Sequence, residues 1–133
     1  MAILNTSPSI TQNQTQGTIV CVVDGGGATI TTGEKFEVQI PFNCVITLNT
    51  VLLDQIGSIV FDIWKDTFAN YPPTVADTIT ASAKPTVSAA MKSTDSTLTG
   101  WTTAITAGDT LRFNVDSVTT AQRATLILKV TKT

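Results

Sequence analysis

Aspartates are the side chains best suited to acid–base chemistry in this sequence, because it contains no histidine, and histidine is the commonest general base. Two carboxylates held at a suitable separation can hydrolyse a glycosidic bond. Nothing in the spacing of the aspartates brings two of them together, and Asp109 and Asp116 stand at a turn and a strand end, where aspartate commonly bonds its own backbone. We therefore predict no catalytic residue and no enzymatic activity. The aspartates considered are Asp62, Asp66, Asp95, Asp109 and Asp116.

Metal and cofactor chemistry finds little support in the residue types. The two cysteines, Cys21 and Cys44, each lie in a strand-like pattern, and without histidine they cannot form a usual zinc site. We predict two buried thiols that behave as small apolar side chains, and the sequence leaves open whether they pair. No loop has the regular acidic spacing of a known calcium site, so a structural calcium stays open and no cofactor is predicted. The glycines after Asp24 indicate a tight turn rather than an anion cradle.

Aromatic residues offer a possible binding surface of another kind. Trp64, Tyr71 and Trp101 could form a platform for a glycan, since aromatic rings present flat apolar faces with a polar edge. Trp64 shares its strand face with Asp62 and Asp66, so stacking and hydrogen bonding would be available together. The alternative is that Trp64 and Trp101 cover the sheet or fill a contact between subunits.

A two-residue alternation of apolar and polar side chains predicts the elements that carry these residues. Ile59, Phe61 and Ile63 fall on one face of a strand that ends before Pro72 and Pro73, because proline cannot continue a hydrogen-bonded ladder. The same alternation recurs in short segments between glycines, and no stretch has a helical period. We predict an all-β fold, an antiparallel sandwich of jelly-roll type with about eight strands. The predicted core residues are Phe36, Val38, Ile40, Ile46, Leu48, Phe61, Ile63, Leu111, Phe113, Leu126 and Leu128.

Several segments carry more specific predictions. Residues 18–23 are almost wholly apolar, which favours a strand covered on both faces. Residues 54–57 are predicted to connect two strands. Residues 67–96 are the least patterned, and loops of this length on a rigid sheet often hold binding surfaces. Short strands or turns are predicted near 76–79 and 86–91, and a strand is predicted at 98–105.

The N-terminal residues 1–17 are polar and irregular, and we predict an arm that precedes a sandwich domain of residues 18–133. Ile3 and Leu4 are the arm residues predicted to dock in a groove on a neighbouring protein. Such an arm would order only when bound. The alternative is a frayed terminus.

Composition and charge narrow the partners. Only 14% of the 133 residues are charged, the formal net charge is −2, and the basic residues are scattered singly. With no basic patch to neutralise phosphates, nucleic acid is not a predicted partner. No apolar run is long enough to span a bilayer, and the first residues lack the pattern of a signal peptide. We therefore expect no membrane partner and a protein made in the cytoplasm. Weak charge and hydroxyl-rich faces are also compatible with burial against other subunits.

The stretch from Gly57 to Thr80 resembles a module found in structural proteins of tailed bacteriophages. The resemblance spans about residues 30 to 132 and is carried by a run of correlated motifs. It implies a β-sandwich virion protein and supplies no catalytic residue. The further matching segments are 84–86, 95–101, 107–117 and 126–132.

In this family the module usually closes larger tail-associated or fibre-like chains, whereas almost nothing precedes it here. The resemblance therefore implies a capsid decoration, or cement, protein that binds and stabilises the outer capsid. It implies a homo-oligomer, most simply a trimer, because capsid and fibre proteins often sit on threefold axes. The implied partners are further copies of the chain and the major capsid protein or another virion protein, in the virion after synthesis in the host cytoplasm. The alternative is a tail-fibre or receptor-binding tip that recognises a cell-surface glycan.

Overall fold

The computed structural model describes residues 15–133, and these residues form an all-β fold. One antiparallel sheet of seven strands curls around a single core, which confirms the predicted fold class with one strand fewer than expected. Two short 3-10 helices, Phe68–Asn70 and Val75–Asp77, interrupt the strands. No helix in the described part of the chain is long and apolar enough to cross a membrane. The strands are β1 (Gln16–Asp24), β2 (Lys35–Gln39), β3 (Cys44–Asp66), β4 (Thr86–Asp95), β5 (Ala104–Ile105), β6 (Thr110–Thr119) and β7 (Arg123–Lys132).

Strand β3 organises the fold, because its 23 residues take part in both layers of the curled sheet. Its first half pairs with β7 and its second half pairs with β6, and the order along the sheet is β1-β7-β3-β6-β2. Strands β4 and β5 pair along the other side of β3. The predicted connection at residues 54–57 is wrong, since these residues continue the same strand through a bend.

The bend in β3 is held by the turn that joins β6 to β7. Asp54 Oδ1 accepts the backbone N–H groups of Gln122 at 3.0 Å and Arg123 at 3.1 Å. The hydroxyl of Thr120 donates to the carbonyl of Ile56 at 2.8 Å. Gly57 lies so close to this turn that a Cβ there would meet the Thr120 hydroxyl and, at 2.6 Å, the carbonyl of Thr119. Only glycine therefore allows the two segments to approach this closely.

The core is built from the alternating residues that the sequence pattern indicates. Ile40, Ile46, Phe61, Ile63, Leu111, Phe113, Leu126 and Leu128 are all buried, as predicted. Phe36 and Val38 are half-buried and pack against this core from β2. Both thiols, Cys21 and Cys44, are buried and unpaired.

Leu48 is the core prediction that is wrong. The pairing of β3 with β7 shifts by one residue between Ile46, opposite Val130, and Leu48, opposite Lys129. A bulge of this kind reverses the facing of every later residue. Leu48 is therefore half-exposed, and Asn49 turns into the core, where its exposed fraction is 1%.

Strand β1 is not covered on both faces, contrary to the prediction for residues 18–23. Ile19, Cys21 and Val23 are buried, whereas Val20 and Val22 are 46% and 47% exposed. An unbroken apolar run cannot reveal which of its faces is covered, since both faces look alike in sequence. The strand begins at Gln16, within the segment predicted as the N-terminal arm. The predicted docking residues Ile3 and Leu4 lie outside the described residues.

Residues 67–85 pack over the second half of β3 with little regular structure. The segment near 76–79, predicted as a short strand or a turn, is the end of a 3-10 helix followed by one isolated bridge between Trp64 and Thr78. Ile79 donates its N–H to the Ile63 carbonyl at 2.9 Å. The segment near 86–91, predicted as a short strand or a turn, is the first part of the longer strand β4. The strand predicted at 98–105 is mostly a turn, with Leu98 at φ 52°, and only its last two residues form β5.

Candidate binding surfaces

Asp62 is a buried carboxylate beneath the 67–85 segment. It is 1% exposed, and both of its oxygens accept hydrogen bonds. Oδ1 accepts from the hydroxyls of Thr78 at 2.7 Å and Thr80 at 2.8 Å and from the Ile63 N–H at 2.8 Å. Oδ2 accepts from the indole Nε1 of Trp64 at 2.9 Å. These bonds attach the long segment to the outer side of β3.

The charge of Asp62 is balanced by Lys84. Lys84 Nζ lies 3.6 Å from Asp62 Oδ2 and 2.7 Å from Asp116 Oδ2. Burial alone would raise the pKa of Asp62, but the hydrogen bonds from Thr78, Trp64 and Thr80 outweigh it and hold that pKa below its usual value. The hydrogen bond that Lys84 Nζ donates to Asp116 Oδ2 raises the pKa of Lys84. Asp62 is thus held as an ionised and fully bonded anchor, which is the opposite of what a proton donor requires.

Two of the three residues predicted to form an aromatic platform are engaged in covering the sheet. Trp64 is buried, and Lys35 Nζ lies 5.7 Å from the centre of its ring. Trp101 is half-buried and its Nε1 donates to the Ala83 carbonyl at 2.8 Å. These positions agree with the alternative in which the tryptophans cover the sheet. Tyr71 is 48% exposed. Contact of any of the three with a partner stays a prediction.

Tyr71 shares a small cleft with an aromatic residue that the sequence reasoning missed. Phe68 is 67% exposed, and the two rings line a cavity of about 200 Å³ together with residues of β2 and β6. We call this site the aromatic cleft. The sequence did contain a sign that Phe68 is exposed. It comes directly after Asp66 and Thr67, where the strand ends and a surface loop begins. The aromatic cleft consists of Glu37, Val38, Gln39, Phe68, Tyr71 and Thr110.

Hydrogen bonds surround the aromatic cleft, and the cleft presents hydrogen-bond acceptors. Asp66 Oδ1 accepts from the Thr67 N–H at 2.7 Å and from Asn70 Nδ2 at 3.2 Å, which fixes the turn that carries Phe68. Glu37 Oε2 accepts from Arg112 Nε at 2.8 Å, and Gln39 Nε2 donates to the Gly108 carbonyl at 3.1 Å. These bonds orient the side chains of Asp66, Glu37 and Gln39. The second carboxylate oxygen of Asp66 and of Glu37, and the amide oxygen of Gln39, have no hydrogen-bond partner among residues 15–133. The site therefore suits a ligand that stacks on aromatic rings and donates hydrogen bonds.

A second exposed surface lies on the outer side of β1, β7, the first half of β3 and β4. Val20, Val22 and Leu52 on it are 46%, 47% and 42% exposed, and open cavities of about 360 Å³ and 390 Å³ lie along it. Lys92 and Lys129 are the charged residues in its middle, and the pair Asp24 and Arg123 lies at one end of it. We call this surface the outer face. Cross-strand pairs define it as Thr18, Val20, Val22, Leu48, Thr50, Leu52, Lys92, Thr94, Thr125, Ile127 and Lys129.

The described residues form neither a metal-binding cluster nor an anion-binding loop. No group of three or more His, Cys, Asp or Glu side chains converges within residues 15–133. Burial, and to a lesser degree the charge of Glu34, raises the pKa of Cys21 to about 12, so its thiol stays protonated. The glycines after Asp24 form a turn in which Asp24 Oδ1 accepts the Gly26 N–H at 2.7 Å. That turn is the structure expected from the sequence.

Comparisons with known proteins do not assign the chain to a family. No protein-family model matches the sequence, and no curated protein matches it. Solved structures with a similar fold include a chain of the capsid of cyanophage Pam1, which is 17% identical with a TM-score of 0.40 over 89% of this chain and 81% of that chain.

The similar structures also include proteins with other roles. The N-terminal cellulose-binding domain of a Cellulomonas fimi β-1,4-glucanase is 10% identical, with a TM-score of 0.41 over 88% of this chain and 78% of that domain. RmlC from Streptococcus suis is 11% identical, with a TM-score of 0.35 over 96% of this chain, which spans only 50% of the RmlC chain. At these scores the likenesses carry no argument about function.

Proposed function

We propose that this chain is a structural protein of a bacteriophage virion, and specifically a capsid decoration, or cement, protein that binds and stabilises the outer capsid. The observation that carries this proposal is the outer face, where apolar and hydroxyl side chains of four strands lie exposed with few charges. Exposed apolar patches of a few hundred Å² are often functional. The sequence resemblance to phage structural modules supports a virion as the setting.

The outer face alone is too small for a stable attachment. Four strands spaced about 4.8 Å apart, each contributing a segment about five residues long with two or three side chains outward, present roughly 300–400 Å². A stable interface buries about 800 Å² on each partner. We propose that the N-terminal arm, residues 1–17, supplies further area by laying Ile3 and Leu4 into a groove on the capsid protein.

The proposal assigns the chain an architectural role and no catalytic one. Its partners would be the major capsid protein, or another virion protein, and further copies of the chain. The resemblance to phage proteins implies a homotrimer, located in the virion after synthesis in the host cytoplasm. No cofactor, nucleic acid or membrane is needed for this role.

A second candidate function is a tail-fibre or receptor-binding tip that recognises a cell-surface glycan. The aromatic cleft favours it, because two exposed rings stand beside acceptor oxygens that can receive sugar hydroxyls. Glu37 is paired with Arg112 at 2.8 Å, so this pair presents no net charge and the expected ligand is a neutral sugar. This role differs from the first in location, since it places the chain on the tail.

The location of the chain in the particle tests both functions. Virions of the phage or induced prophage that encodes the chain would be separated into heads and tails, and each fraction analysed by quantitative mass spectrometry. Many copies in the head fraction support the decoration role, and a small number of copies confined to tails supports the receptor-binding role. Absence from both fractions would overturn the virion assignment itself.

A further inference from the structure

Within residues 15–133, strand β1 is paired along one edge only. All nine of its residues pair in continuous register with β7, and among residues 15–133 no backbone group bonds to its other side. From Gln16 to Val23 the strand contains no charged residue, no proline and no bulge. Exposed edges with this composition readily pair with another strand, and proteins usually protect them.

The other edges of the same sheet are protected in the usual ways. Strand β2 has five residues, of which Lys35 and Glu37 are charged, and Pro41 follows it. Strand β4 carries Lys92 and pairs with β3 through two register shifts, which make its edge irregular. The contrast indicates that the β1 edge is kept open for a partner strand.

The backbone groups that face the open side can be identified from the phase of the ladder. Lys132 donates its N–H to the Thr15 carbonyl at 2.6 Å, so Thr15 and every second residue after it bond to β7. The intervening residues direct both N–H and C=O towards the open side. These residues are Gln16, Thr18, Val20, Val22 and Asp24.

We infer that β1 of one copy pairs with β1 of a second copy, antiparallel and about a two-fold axis that passes through Val20. In this register Val20 lies opposite Val20 of the second copy, Thr18 lies opposite Val22, and Gln16 lies opposite Asp24. All of these residues direct their backbone groups to the open side, so the pairs are the hydrogen-bonded ones. About ten new backbone hydrogen bonds would form, two for each of the five pairs.

The side chains are self-complementary in this register. The two copies of Val20 form an apolar pair at the centre, and no like charges face each other because Asp24 lies opposite Gln16. The full length of β1 is used, whereas a shift by two residues in either direction leaves one end of each strand unpaired. The pairing also joins the outer faces of two copies into one continuous surface.

This inference goes beyond the proposed function and does not depend on it, since it uses only the edge of β1. The inferred contact relates two copies and is therefore distinct from the threefold contact implied by the phage resemblance. A closed assembly that contained both contacts would have six copies rather than three.

Cysteine cross-linking of the full chain tests the contact and its register. Val20→Cys places the two new thiols in a directly opposed pair with Cα atoms about 5.5 Å apart, within the range for a disulfide. Val22→Cys is the matched control, because Val22 is equally exposed on the same face. Its two copies would lie four residues apart along the strands, about 13 Å, which is too far for a disulfide. The native thiols are buried in both variants.

We expect mild oxidation to convert most of Val20→Cys, and little of Val22→Cys, into covalent dimers on a non-reducing gel. Equal cross-linking of the two variants, or none in Val20→Cys, overturns the inference. Val20→Pro provides an independent test, because it removes an N–H that points to the open side and leaves the bonds to β7 intact. By light scattering it should halve the mass of the assembly, whereas Val20→Thr should not change it. A wild-type monomer, or a mass that Val20→Pro leaves unchanged, would contradict the pairing.

Discussion

The indole Nε1 of Trp64 donates a hydrogen bond to Oδ2 of Asp62, two residues earlier on the same strand, at 2.9 Å. Both residues lie on the face of β3 that points away from the core. The hydrogen bond joins them to each other, and the 67–85 segment covers both. The tryptophan and aspartate that the sequence presents as a ligand platform together serve to hold the 67–85 segment against the sheet.

Removal of this carboxylate should weaken the fold. Asp62→Ala leaves two threonine hydroxyls, the Trp64 N–H and the Ile63 N–H without their acceptor, and we expect a loss of about 2–4 kcal/mol in the free energy of unfolding. Urea unfolding followed by circular dichroism measures it. Asp24→Asn, at an exposed turn, is the control and should change stability by less than about 0.5 kcal/mol. Equal stability of Asp62→Ala and wild type would show that the network does not hold the loop.

The same carboxylate predicts a pH dependence. Because the pKa of Asp62 is lowered in the folded protein, its contribution is fully present above the unfolded value of about 3.9 and is lost as the pH falls through the folded pKa. The urea midpoint of the wild type should therefore decrease below about pH 4. The urea midpoint of Asp62→Asn should decrease less over the same pH range, so the midpoints of the two proteins should come closer together in acid. A constant difference would contradict this assignment.

Gly57 should tolerate no side chain. A Cβ there would overlap with the Thr120 hydroxyl and the Thr119 carbonyl, both parts of the turn that holds the bend of β3. We expect Gly57→Ala to destabilise the protein by about 1–3 kcal/mol, measured by thermal unfolding. Gly17→Ala is the control within a strand, since its nearest neighbours would lie at an ordinary 3.5 Å. If Gly57→Ala were as stable as the wild type, the turn would have to be able to move away from residue 57.

The outer face should be sensitive to charge if it attaches to a capsid. Leu52→Lys adds a cation where burial of leucine would stabilise the contact by about 1.5–3 kcal/mol, so we expect binding to weaken by at least about tenfold. Co-sedimentation with heads that lack the native protein measures the affinity. Ile56→Lys, at a 67% exposed position outside the outer face, should bind as the wild type does. Equal loss in both variants would place the contact elsewhere.

The aromatic cleft gives a separate prediction for the receptor-binding alternative. Tyr71→Ala and Phe68→Ala each remove one ring, and a stacking contact contributes about 0.5–1.5 kcal/mol. Affinity for a neutral glycan, found on a glycan array and measured by calorimetry, should fall about two- to tenfold in each variant. Val75→Ala removes another exposed apolar side chain outside the cleft and should leave affinity unchanged. Failure of the wild type to bind any glycan would remove this alternative.

The sequence pattern predicted the interior of the fold well where the alternation is regular. Phe61, Ile63, Leu111 and Phe113 are buried as expected, because a period of two leaves only one choice of face. The pattern failed at Leu48 because the bulge before it has no marker in composition or spacing. The extra residue of a bulge can be recognised only when the register with the partner strand, here β7, is known.

The candidate sites were harder to predict, because their parts are distant in sequence. Asp62 receives bonds from residues 16 and 18 positions later, and nothing in an unpatterned threonine-rich loop reveals that it folds back onto this carboxylate. Tyr71 was correctly placed at a loop surface by the prolines after it. The second ring of the cleft, Phe68, could not be paired with Glu37 or Gln39 without knowledge of where β2 lies.

The position of the last two strands has a consequence for synthesis of the protein. β7 lies between β1 and the first half of β3, and β6 lies between β2 and the second half. Gln16 pairs with Thr131, so the first strand leaves the ribosome long before its neighbour exists. Neither layer can close before β6 and β7 have been synthesised, so folding must wait for these two strands. Nascent chains therefore expose their apolar strands throughout elongation, and they should depend on chaperones more than a protein of this size with local pairing.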